Sequence, residues 1–169
     1  MTTAKKTRAH RPRDIVIRPA VRADAKVLAA LVCELHALQN NQAAKFNQAT
    51  AKRDVLAPGA LVQALIAELD GNAVAFAFFI PAYDSAHGVR GLSITDFYVT
   101  AAGRAKSVGQ PMLAACAAFA RQKNAGFLSW SSKAWDVAAH DLYRKLGVVE
   151  EPVMAHTLSG AKFTTLAGN

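Results

Sequence analysis

The sequence is poor in cysteine and in long apolar stretches, and each shortage excludes a class of protein. Its 169 residues include only two cysteines, Cys33 and Cys116, which lie far apart and have no metal-ligand or redox spacing. No apolar run reaches the roughly 20 residues that a membrane-spanning helix needs, and the N-terminus lacks the apolar core of a secretory signal. We therefore expect a soluble protein in a reducing compartment, the cytoplasm.

Acidic residues are missing from the first thirteen positions, which carry five basic residues. The formal net charge is +8, from 20 Lys and Arg against 12 Asp and Glu, so the remainder of the chain has a charge of only +3. We interpret residues 1–13 as a basic flexible tail and residues 14–169 as a single domain, which 52% hydrophobic residues can support. A solvated tail is favoured over one that binds nucleic acid or an acidic surface.

The first hundred residues predict a strand, two helices and three antiparallel strands. Residues 15–18 have strand character, and leucines recur at helical spacing from Arg22 onward. Thr50 can cap a short helix after an unpatterned connection over residues 40–49. Asp70-Gly71-Asn72 predicts a tight hairpin turn, because these residue types tolerate positive φ. The strands are expected at residues 61–69, 73–80 and 92–99, with a loop over 81–90.

The remaining residues predict a helix, a strand, a helix and a final strand. Pro111 suits the first turn of a helix that ends near Asn124. Residues 127–131 form the next strand. Asp136 can cap the following helix, which Gly147 closes in the left-handed conformation. The last strand is expected at residues 153–158.

A turn rich in small residues connects the strand at 92–99 to the next helix. It contains Arg104-Ala105-Lys106-Ser107-Val108-Gly109. Backbone N–H groups at a helix N-terminus have no partner within the helix and lie at the positive end of its dipole, so they can bind a pyrophosphate. The same pattern also occurs in ordinary strand-to-helix connections, so the flanking sequence must decide.

A second motif follows that turn at a distance. It consists of Trp135-Asp136 and Leu142-Tyr143-Arg144-Lys145-Leu146-Gly147. In this order the two motifs resemble the GNAT superfamily of N-acetyltransferases, closest to its diamine (spermidine/spermine) acetyltransferase-like branch, over about residues 15–160. The resemblance implies an α+β, three-layer acyl-CoA N-acyltransferase fold. Its sheet is mixed and mostly antiparallel, is splayed between strands 4 and 5, and has helices on both faces.

The resemblance also implies a reaction and a cofactor site. Acetyl-CoA is the co-substrate, no metal is needed, and a primary amine of a small molecule attacks the thioester directly in a ternary complex. Tyr143 occupies the general-acid position, and its phenol, neutral at pH 7, can protonate the departing thiolate; the alternative is a core aromatic. The implied cofactor-binding residues are Phe97, Tyr98, Val99, Arg104, Ala105, Lys106, Ser107, Val108, Gly109, Gln110 and Asp136.

The general base is the weakest part of the match. An alkylamine has a pKa of about 10.4 and must lose a proton before it attacks. The branch usually carries Glu-Asp on strand 4, where this chain has Thr95-Asp96. Asp96 is the candidate base, with Asp84 and ordered water as alternatives, and a purely structural carboxylate is an equal interpretation of Asp96. Regular alternation would point Thr95 and Asp96 to opposite faces, which argues against a simple exchange.

Other departures concern the substrate and the cofactor. Gln39, Asp84 and Thr95 are the candidate substrate-binding residues, and Gln39 stands where the branch carries an acid, which favours a small diamine or amino-acid-like amine over a long polyamine. Ser107 replaces a glycine of the phosphate motif, and Asp136 replaces an asparagine; both changes predict weaker cofactor binding.

Two further expectations follow from these departures and from the resemblance. A catalytically weak GNAT-fold protein that binds acyl-CoA or serves in interactions is the alternative to an enzyme. By analogy with the branch, we expect a homodimer. His140, beside the tyrosine motif, is the histidine to test as a proton shuttle.

Overall fold

A computed structural model describes residues 15–39 and 45–168. The chain forms two compact units, one up to Ser131 and one from Ser132 onward, and each is described by itself. The basic tail and part of the 40–49 connection lie outside the described residues, and the single domain over residues 14–169 stays a prediction. Within the described ranges, no helix is long and apolar enough to cross a membrane.

A five-stranded sheet with the order β1-β2-β3-β4-β5 forms the centre of the first unit. Neighbouring strands run antiparallel except β4 and β5, which are parallel. The expected mixed, mostly antiparallel sheet is therefore confirmed. The strands are β1 (Ile15–Pro19), β2 (Gln63–Leu69), β3 (Asn72–Asp84), β4 (Val89–Val99) and β5 (Phe127–Trp130).

Helices cover both faces of this sheet. Phe78 on β3 belongs to an apolar cluster that includes the buried leucines of α1 (Ala25–Leu38). Phe79 points to the opposite face, because side chains alternate along a strand. Its ring lies 5.2 Å from that of Phe119 on α4 (Gly109–Gln122). The sheet is thus the middle of three layers.

Short helical turns complete the first unit, and one of them corrects a predicted cap. Asn47, not Thr50, caps the short helix Gln48–Thr50: its Oδ1 accepts the N–H groups of Ala49 and Thr50 at 2.8 and 3.1 Å. The Thr50 hydroxyl accepts the Asn47 N–H at 2.7 Å, which completes a reciprocal capping box. The turns are a 3₁₀ helix (Arg22–Asp24), α2 (Gln48–Thr50) with a following π-helix (Ala51–Val55), and α3 (Ala101–Arg104).

Both hairpins of the sheet test the predicted turns. Asp70 and Gly71 have φ values of 52° and 79°, so the tight β2–β3 turn is confirmed. The prediction of a loop over residues 81–90 is wrong, since β3 and β4 extend into this range and leave only the turn 85–88. Pairing between β2 and β3 ends at Phe79, so Pro81 lies where β4 is the one described strand that pairs with β3. A proline is tolerated at such an edge position.

The second unit contains α5 (Val137–Lys145) and α6 (Gly160–Ala167). Asp136 caps α5, accepting the N–H of Ala139 at 3.2 Å, and Gly147 closes it with a φ of 74°, as predicted. The prediction of a strand at residues 153–158 is wrong, because those residues pair with no strand among the described ones. A strand requires a neighbour for its backbone groups, which the local pattern cannot supply. Helix α6 was not predicted.

Candidate active site

Strand β4 is paired with β5 along only part of its length. Their pairing runs from Gly91 and Phe127 to Ile94 and Trp130. β4 continues through residues 95–99, where β3 alone among the described strands pairs with it. One edge of these five residues, called here the open β4 segment, therefore presents backbone groups to no neighbouring strand. This is the place at which the sequence predicts a splay between strands 4 and 5, and the parallel pairing of β4 and β5 that precedes it is confirmed.

A β-bulge lies at the start of the open β4 segment. Phe78 pairs with Asp96 and Phe79 with Ile94, so Thr95 is an extra residue on β4. A bulge interrupts the alternation of side chains between the two faces. The argument that Thr95 and Asp96 point to opposite faces assumed a regular strand, which β4 is not at this point. Thr95 is exposed and Asp96 is partly buried.

Tyr98, in the open β4 segment, brings a carboxylate from α1 close to β4. Its buried hydroxyl donates to Oε2 of the exposed Glu34 at 3.2 Å. Burial and the negative charge of Glu34 raise the pKa of Tyr98. Sequence analysis missed Glu34, whose only signal is its place one turn after the buried Leu31 on the amphipathic helix.

Thr100 and Gly103 fix the turn that follows β4. The Thr100 hydroxyl accepts the Gly103 N–H at 3.1 Å and so caps α3. A Cβ atom on Gly103 would lie 2.7 Å from the Val99 side chain and 3.1 Å from the carbonyl oxygen of Val74. The turn consequently packs directly on the sheet, which a residue larger than glycine would prevent. Sequence analysis did not single out Gly103.

The backbone N–H groups of the predicted phosphate turn fall into two sets. Those of residues 105–108 donate to carbonyl oxygens within the turn at 3.0 to 3.1 Å. Those of Gly109 and Gln110 lie in the first turn of α4, where a helix provides no acceptor. These two amides are the donors best placed to receive an anion at the positive end of α4.

Two side chains of the turn depart from a simple phosphate site. Ser107 has a φ of 56°, in the left-handed region that a motif glycine would occupy without strain. The Arg104 guanidinium turns back and donates through Nη1 to the carbonyl oxygen of Val99 at 2.5 Å. It thus occupies one carbonyl at the end of the open β4 segment. Lys106 is exposed and contributes positive charge to the turn.

In the second unit, Tyr143 lies buried on α5. Its ring centroid is 6.3 Å from that of His140 in an edge-on arrangement. Its carbonyl oxygen accepts the N–H of Val148 at 3.1 Å, beyond the end of the helix. Asp136, the other candidate of this unit, uses Oδ1 for the cap of α5.

His140 is held by two hydrogen-bond acceptors. Its Nδ1 lies 2.6 Å from Oε1 of Glu150 and its Nε2 lies 3.0 Å from the carbonyl oxygen of Lys133. A ring that donates to both carries two protons. The hydrogen bond to Glu150, followed by that to the Lys133 carbonyl, raises the pKa of His140. An imidazolium stabilised in this way is a poor proton acceptor, so this arrangement argues against a shuttle.

The structure does not bring all the predicted substrate residues together. Asp84 organises the β3–β4 turn, with Oδ2 lying 2.7 Å from Nδ1 of His87, and this hydrogen bond lowers the pKa of Asp84. Its strand partner Val89 precedes Thr95 by six residues, a separation of roughly 20 Å along β4 at about 3.3 Å per residue. Gln39 is the C-cap residue of α1 and borders the undescribed residues.

A cavity of about 510 Å³ lies at the hairpin end of β4, where Tyr83, Arg90 and Lys123 contribute to its lining. None of the predicted site residues lines it. Within the described part of the chain, no group of three or more His, Cys, Asp or Glu side chains is arranged to hold a metal ion. The cofactor-binding residues that the sequence predicts in the first unit lie on β4 and in the turn that follows it, away from this cavity.

A strand with one open edge, followed by a tight turn and a helix N-terminus, defines the acyl-CoA N-acyltransferase fold. The chain belongs to the acetyltransferase (GNAT) family, whose family model matches residues 30–148. It is thus an acetyltransferase of this family, which uses acetyl-CoA as acetyl donor. No curated protein gave a significant match.

Solved structures share the architecture at low sequence identity. An integron cassette protein from the mobile metagenome of V. cholerae is 18% identical, with 92% of this chain and 98% of that chain covered and a TM-score of 0.76. A ribosomal-protein-alanine N-acetyltransferase from Brucella melitensis biovar Abortus is 19% identical, with 87% and 99% covered and a TM-score of 0.69. An aminoglycoside N-acetyltransferase in complex with CoA is 18% identical, with 88% and 97% covered and a TM-score of 0.70. Such likeness shows the fold.

Proposed function

We propose that this chain transfers the acetyl group of acetyl-CoA to a primary amine of a small molecule, diamine or amino-acid-like, in a ternary complex. The open β4 segment carries the proposal. Its edge can pair with the amide groups of pantetheine as it would with a strand. Beyond it, the amides of Gly109 and Gln110 bind the pyrophosphate at the N-terminus of α4, where Lys106 adds charge.

The reaction needs one proton acceptor and one proton donor. A neutral amine attacks the thioester carbon, a C–N bond forms and the C–S bond breaks. The amine's surplus proton passes to a base, and the thiolate takes a proton from an acid. For the base we propose Asp96, beside the bulge, with Glu34, beside the Tyr98 hydroxyl, as the rival. For the acid we propose Tyr143, whose phenol is neutral at pH 7.

A thiol-release assay over a panel of diamines, amino acids and aminoglycosides tests the activity. We expect at least one amine to stimulate CoA release above slow hydrolysis. Tyr143→Phe should lower kcat by about a hundredfold, the usual effect of losing a general acid. Tyr83→Phe, at an exposed tyrosine outside the site, is the matched control and should leave kcat unchanged. Absence of stimulation by any amine would refute the enzymatic proposal.

The two candidate bases are separated by their pH profiles. Loss of the base removes the acidic limb of the kcat/KM profile and lowers the plateau by about a hundredfold. We expect this for Asp96→Asn and not for Glu34→Gln. The reverse result assigns the base to Glu34. Two unchanged profiles would leave ordered water as the acceptor.

A second function is favoured by the turn itself. Ser107 holds a left-handed φ, and the amides of residues 105–108 are bonded within the turn. Both features predict a weaker cofactor site and hence inefficient turnover, which suits a catalytically weak GNAT-fold protein that still binds acyl-CoA. Calorimetry with acetyl-CoA decides: binding in the absence of amine-stimulated CoA release supports the acyl-CoA-binding protein, and absence of binding contradicts both functions.

Two finer expectations also belong here. We propose a cytoplasmic location, in line with the scarcity of cysteine, and a homodimer, by analogy with the diamine branch. Light scattering checks the second.

A further inference from the structure

The cavity of about 510 Å³ at the hairpin end of β4, called here the hairpin cavity, lies within the first unit. Phe79 on β3 packs against Phe119 of α4. Pro81 and Tyr83, two and four residues further along β3, point to the same face of the sheet as Phe79. So does Arg90, the partner of Tyr83 on β4. Pro81, Tyr83 and Arg90 all line the hairpin cavity, which therefore lies on the α4 face of the sheet.

The segment that follows α4 forms the other wall of the hairpin cavity. Lys123 and Ala125, both beyond the end of this helix, contribute to the lining. The Gly126 N–H donates to the carbonyl oxygen of Arg90 at 2.8 Å. A Cβ atom on Gly126 would lie 2.4 Å from the Val89 side chain, so the segment and the start of β4 are in direct contact. The fold itself thus holds this wall in place, as is usual for small-molecule sites.

The lining combines apolar surface with positive charge. Pro81, Tyr83 and Leu92 supply apolar surface. Arg90 and Lys123 are the charged residues of the lining, to which no acidic residue of the described chain contributes. The volume falls within the range of about 300 to 1,000 Å³ that is typical of small-molecule sites. Such a combination suits a small organic anion.

Neither cation is neutralised within the described part of the first unit, residues 15–39 and 45–131. Arg90 and Lys123 form no ion pair there. The Lys123 ammonium lies 5.3 Å from the centroid of the Phe119 ring, which attracts a cation without neutralising it. Lys123 is also the C-cap residue of α4, whose C-terminal end carries about half a negative charge. Half a charge offsets less than one of the two cations, so the hairpin cavity keeps a net positive charge.

The hairpin cavity is separate from the proposed site of acetyl transfer. Asp96, the candidate base, pairs with Phe78, whose ring packs with the buried leucines of α1 on the opposite face of the sheet. Arg90 precedes Asp96 by six residues, roughly 20 Å along β4 at about 3.3 Å per residue. Two cations would also repel the ammonium group of an amine acceptor. The ligand of this cavity is therefore not the acceptor amine.

We infer that the hairpin cavity binds a small aromatic carboxylate, at a site distinct from those of acetyl-CoA and the amine. The carboxylate group lies between Arg90 and Lys123, where it accepts charge-assisted hydrogen bonds. The planar guanidinium of an arginine matches the two oxygens of a carboxylate. The aromatic body of the ligand contacts the apolar surface of Pro81, Tyr83 and Leu92.

Fluorine NMR with 4-fluorobenzoate tests this inference on the full chain. The signal of the probe should broaden as protein is added. The neutral 4-fluorobenzamide, of nearly the same shape, should bind about fivefold more weakly or less, because it lacks the charge that the two cations attract. Saturating acetyl-CoA should leave the bound fraction of 4-fluorobenzoate unchanged. Absence of binding, equal binding of the amide, or displacement by acetyl-CoA overturns the inference.

Three matched variants then locate the bound probe. Arg90→Gln and Lys123→Gln should each weaken 4-fluorobenzoate binding by about fivefold or more. Arg121→Gln is the control, because it removes one positive charge from an exposed position in the last turn of α4 that does not line the hairpin cavity. Its effect should stay below about twofold, since salt screens distant charges. Equal affinities for all three variants would show unspecific attraction and overturn the inference.

The binding measurement is independent of acetyl transfer. Neither Arg90 nor Lys123 belongs to the proposed transfer site, so both variants should keep the wild-type kcat with the best amine. Thermal unfolding checks that each variant is folded as the wild type is. A chain that binds 4-fluorobenzoate without transferring acetyl contradicts the proposed function alone. A chain that transfers acetyl without binding the probe contradicts this inference alone.

Discussion

Ser107 adopts a backbone conformation that its side chain does not favour. Its φ of 56° lies in the left-handed region, where a residue with a Cβ atom is strained by about 1 to 2 kcal/mol. We predict that Ser107→Gly raises the free energy of unfolding by about 0.5 to 1 kcal/mol, after the entropy that glycine adds to the unfolded chain. The change should also tighten acetyl-CoA binding, since it restores the motif residue.

Asn124→Gly provides the control for this substitution. Asn124 has nearly the same φ, 57°, but lies after α4 and outside the phosphate turn. Asparagine tolerates the left-handed region better than serine, so its replacement should change stability by less. Denaturant unfolding and calorimetry report the two effects. Equal gains at both positions, without a change in acetyl-CoA affinity, would show that the turn does not bind the cofactor.

Asp24 is the buried charged residue among those described. Arg18 approaches its two carboxylate oxygens at 2.7 and 2.9 Å and also contacts Glu68. We predict that Asp24→Asn lowers the free energy of unfolding by about 2 kcal/mol, because it leaves a partly buried guanidinium with fewer partners. Asp54→Asn breaks an exposed Arg–Asp pair of similar geometry and should change the free energy of unfolding far less than Asp24→Asn does.

The same pair predicts a pH dependence. The hydrogen bonds from Arg18 hold the pKa of Asp24 below its usual value. A carboxylate with a lowered folded-state pKa stabilises the protein above its unfolded pKa of about 3.9 and loses that effect as pH falls through the folded value. The stability difference between wild type and Asp24→Asn should therefore be constant near neutrality and shrink below about pH 4. A difference that persists into strong acid would contradict this assignment.

At the scale of elements, the junction of β4 and β5 depends on Gly91. A Cβ atom there would lie 2.4 Å from the ring of Phe127, its partner in the first β4–β5 pair. We predict that Gly91→Ala destabilises the fold by about 1 to 3 kcal/mol, the usual cost of overpacking. Phe127→Leu in the same chain should recover part of that loss, which a double-mutant cycle measures. Strict additivity would mean that the ring moves aside without cost.

Local features of the elements could be predicted where the signal resides in the residue itself. Asp70 and Gly71 turn the β2–β3 hairpin, and Asp136 and Gly147 cap the two ends of α5, as the sequence indicates. Turn and cap preferences are properties of a few adjacent residues, so turns and caps can be predicted without knowledge of the remaining chain.

Features that depend on pairing between distant segments could not be predicted. The bulge at Thr95 exists only in the register of β3 against β4. Similarly, the inward turn of Arg104 and the close packing of Gly103 require the position of the sheet beneath them. The family motif located the cofactor turn, but the amides that remain available in it, those of Gly109 and Gln110, follow from three-dimensional structure.

For the molecule as a whole, family membership and the open strand edge support acetyl-CoA binding more directly than they support any one acceptor. The donor is common to the family, and its proposed contacts are mostly backbone groups, which substitutions alter little. Acceptor contacts are side chains, and the predicted ones do not converge: Asp84 stabilises the β3–β4 turn, far along β4 from Thr95, and Gln39 lies at the C-terminal end of α1. Specificity therefore has to be measured with amines rather than inferred from the scaffold.

Cofactor binding should be visible as stabilisation of the whole protein. A ligand at a hundred times its Kd adds about 2.7 kcal/mol, which for a chain of 169 residues corresponds to a rise in Tm of roughly 5 to 10 °C. The nucleotide half of CoA, 3′-phospho-ADP, lacks the pantetheine that we assign to the open β4 segment. At the same concentration it should raise the Tm by less than half as much. Equal shifts with acetyl-CoA and 3′-phospho-ADP would show that β4 does not contribute to binding. The absence of any shift would contradict cofactor binding itself. Because Ser107→Gly relaxes the turn rather than the strand, it should increase both shifts.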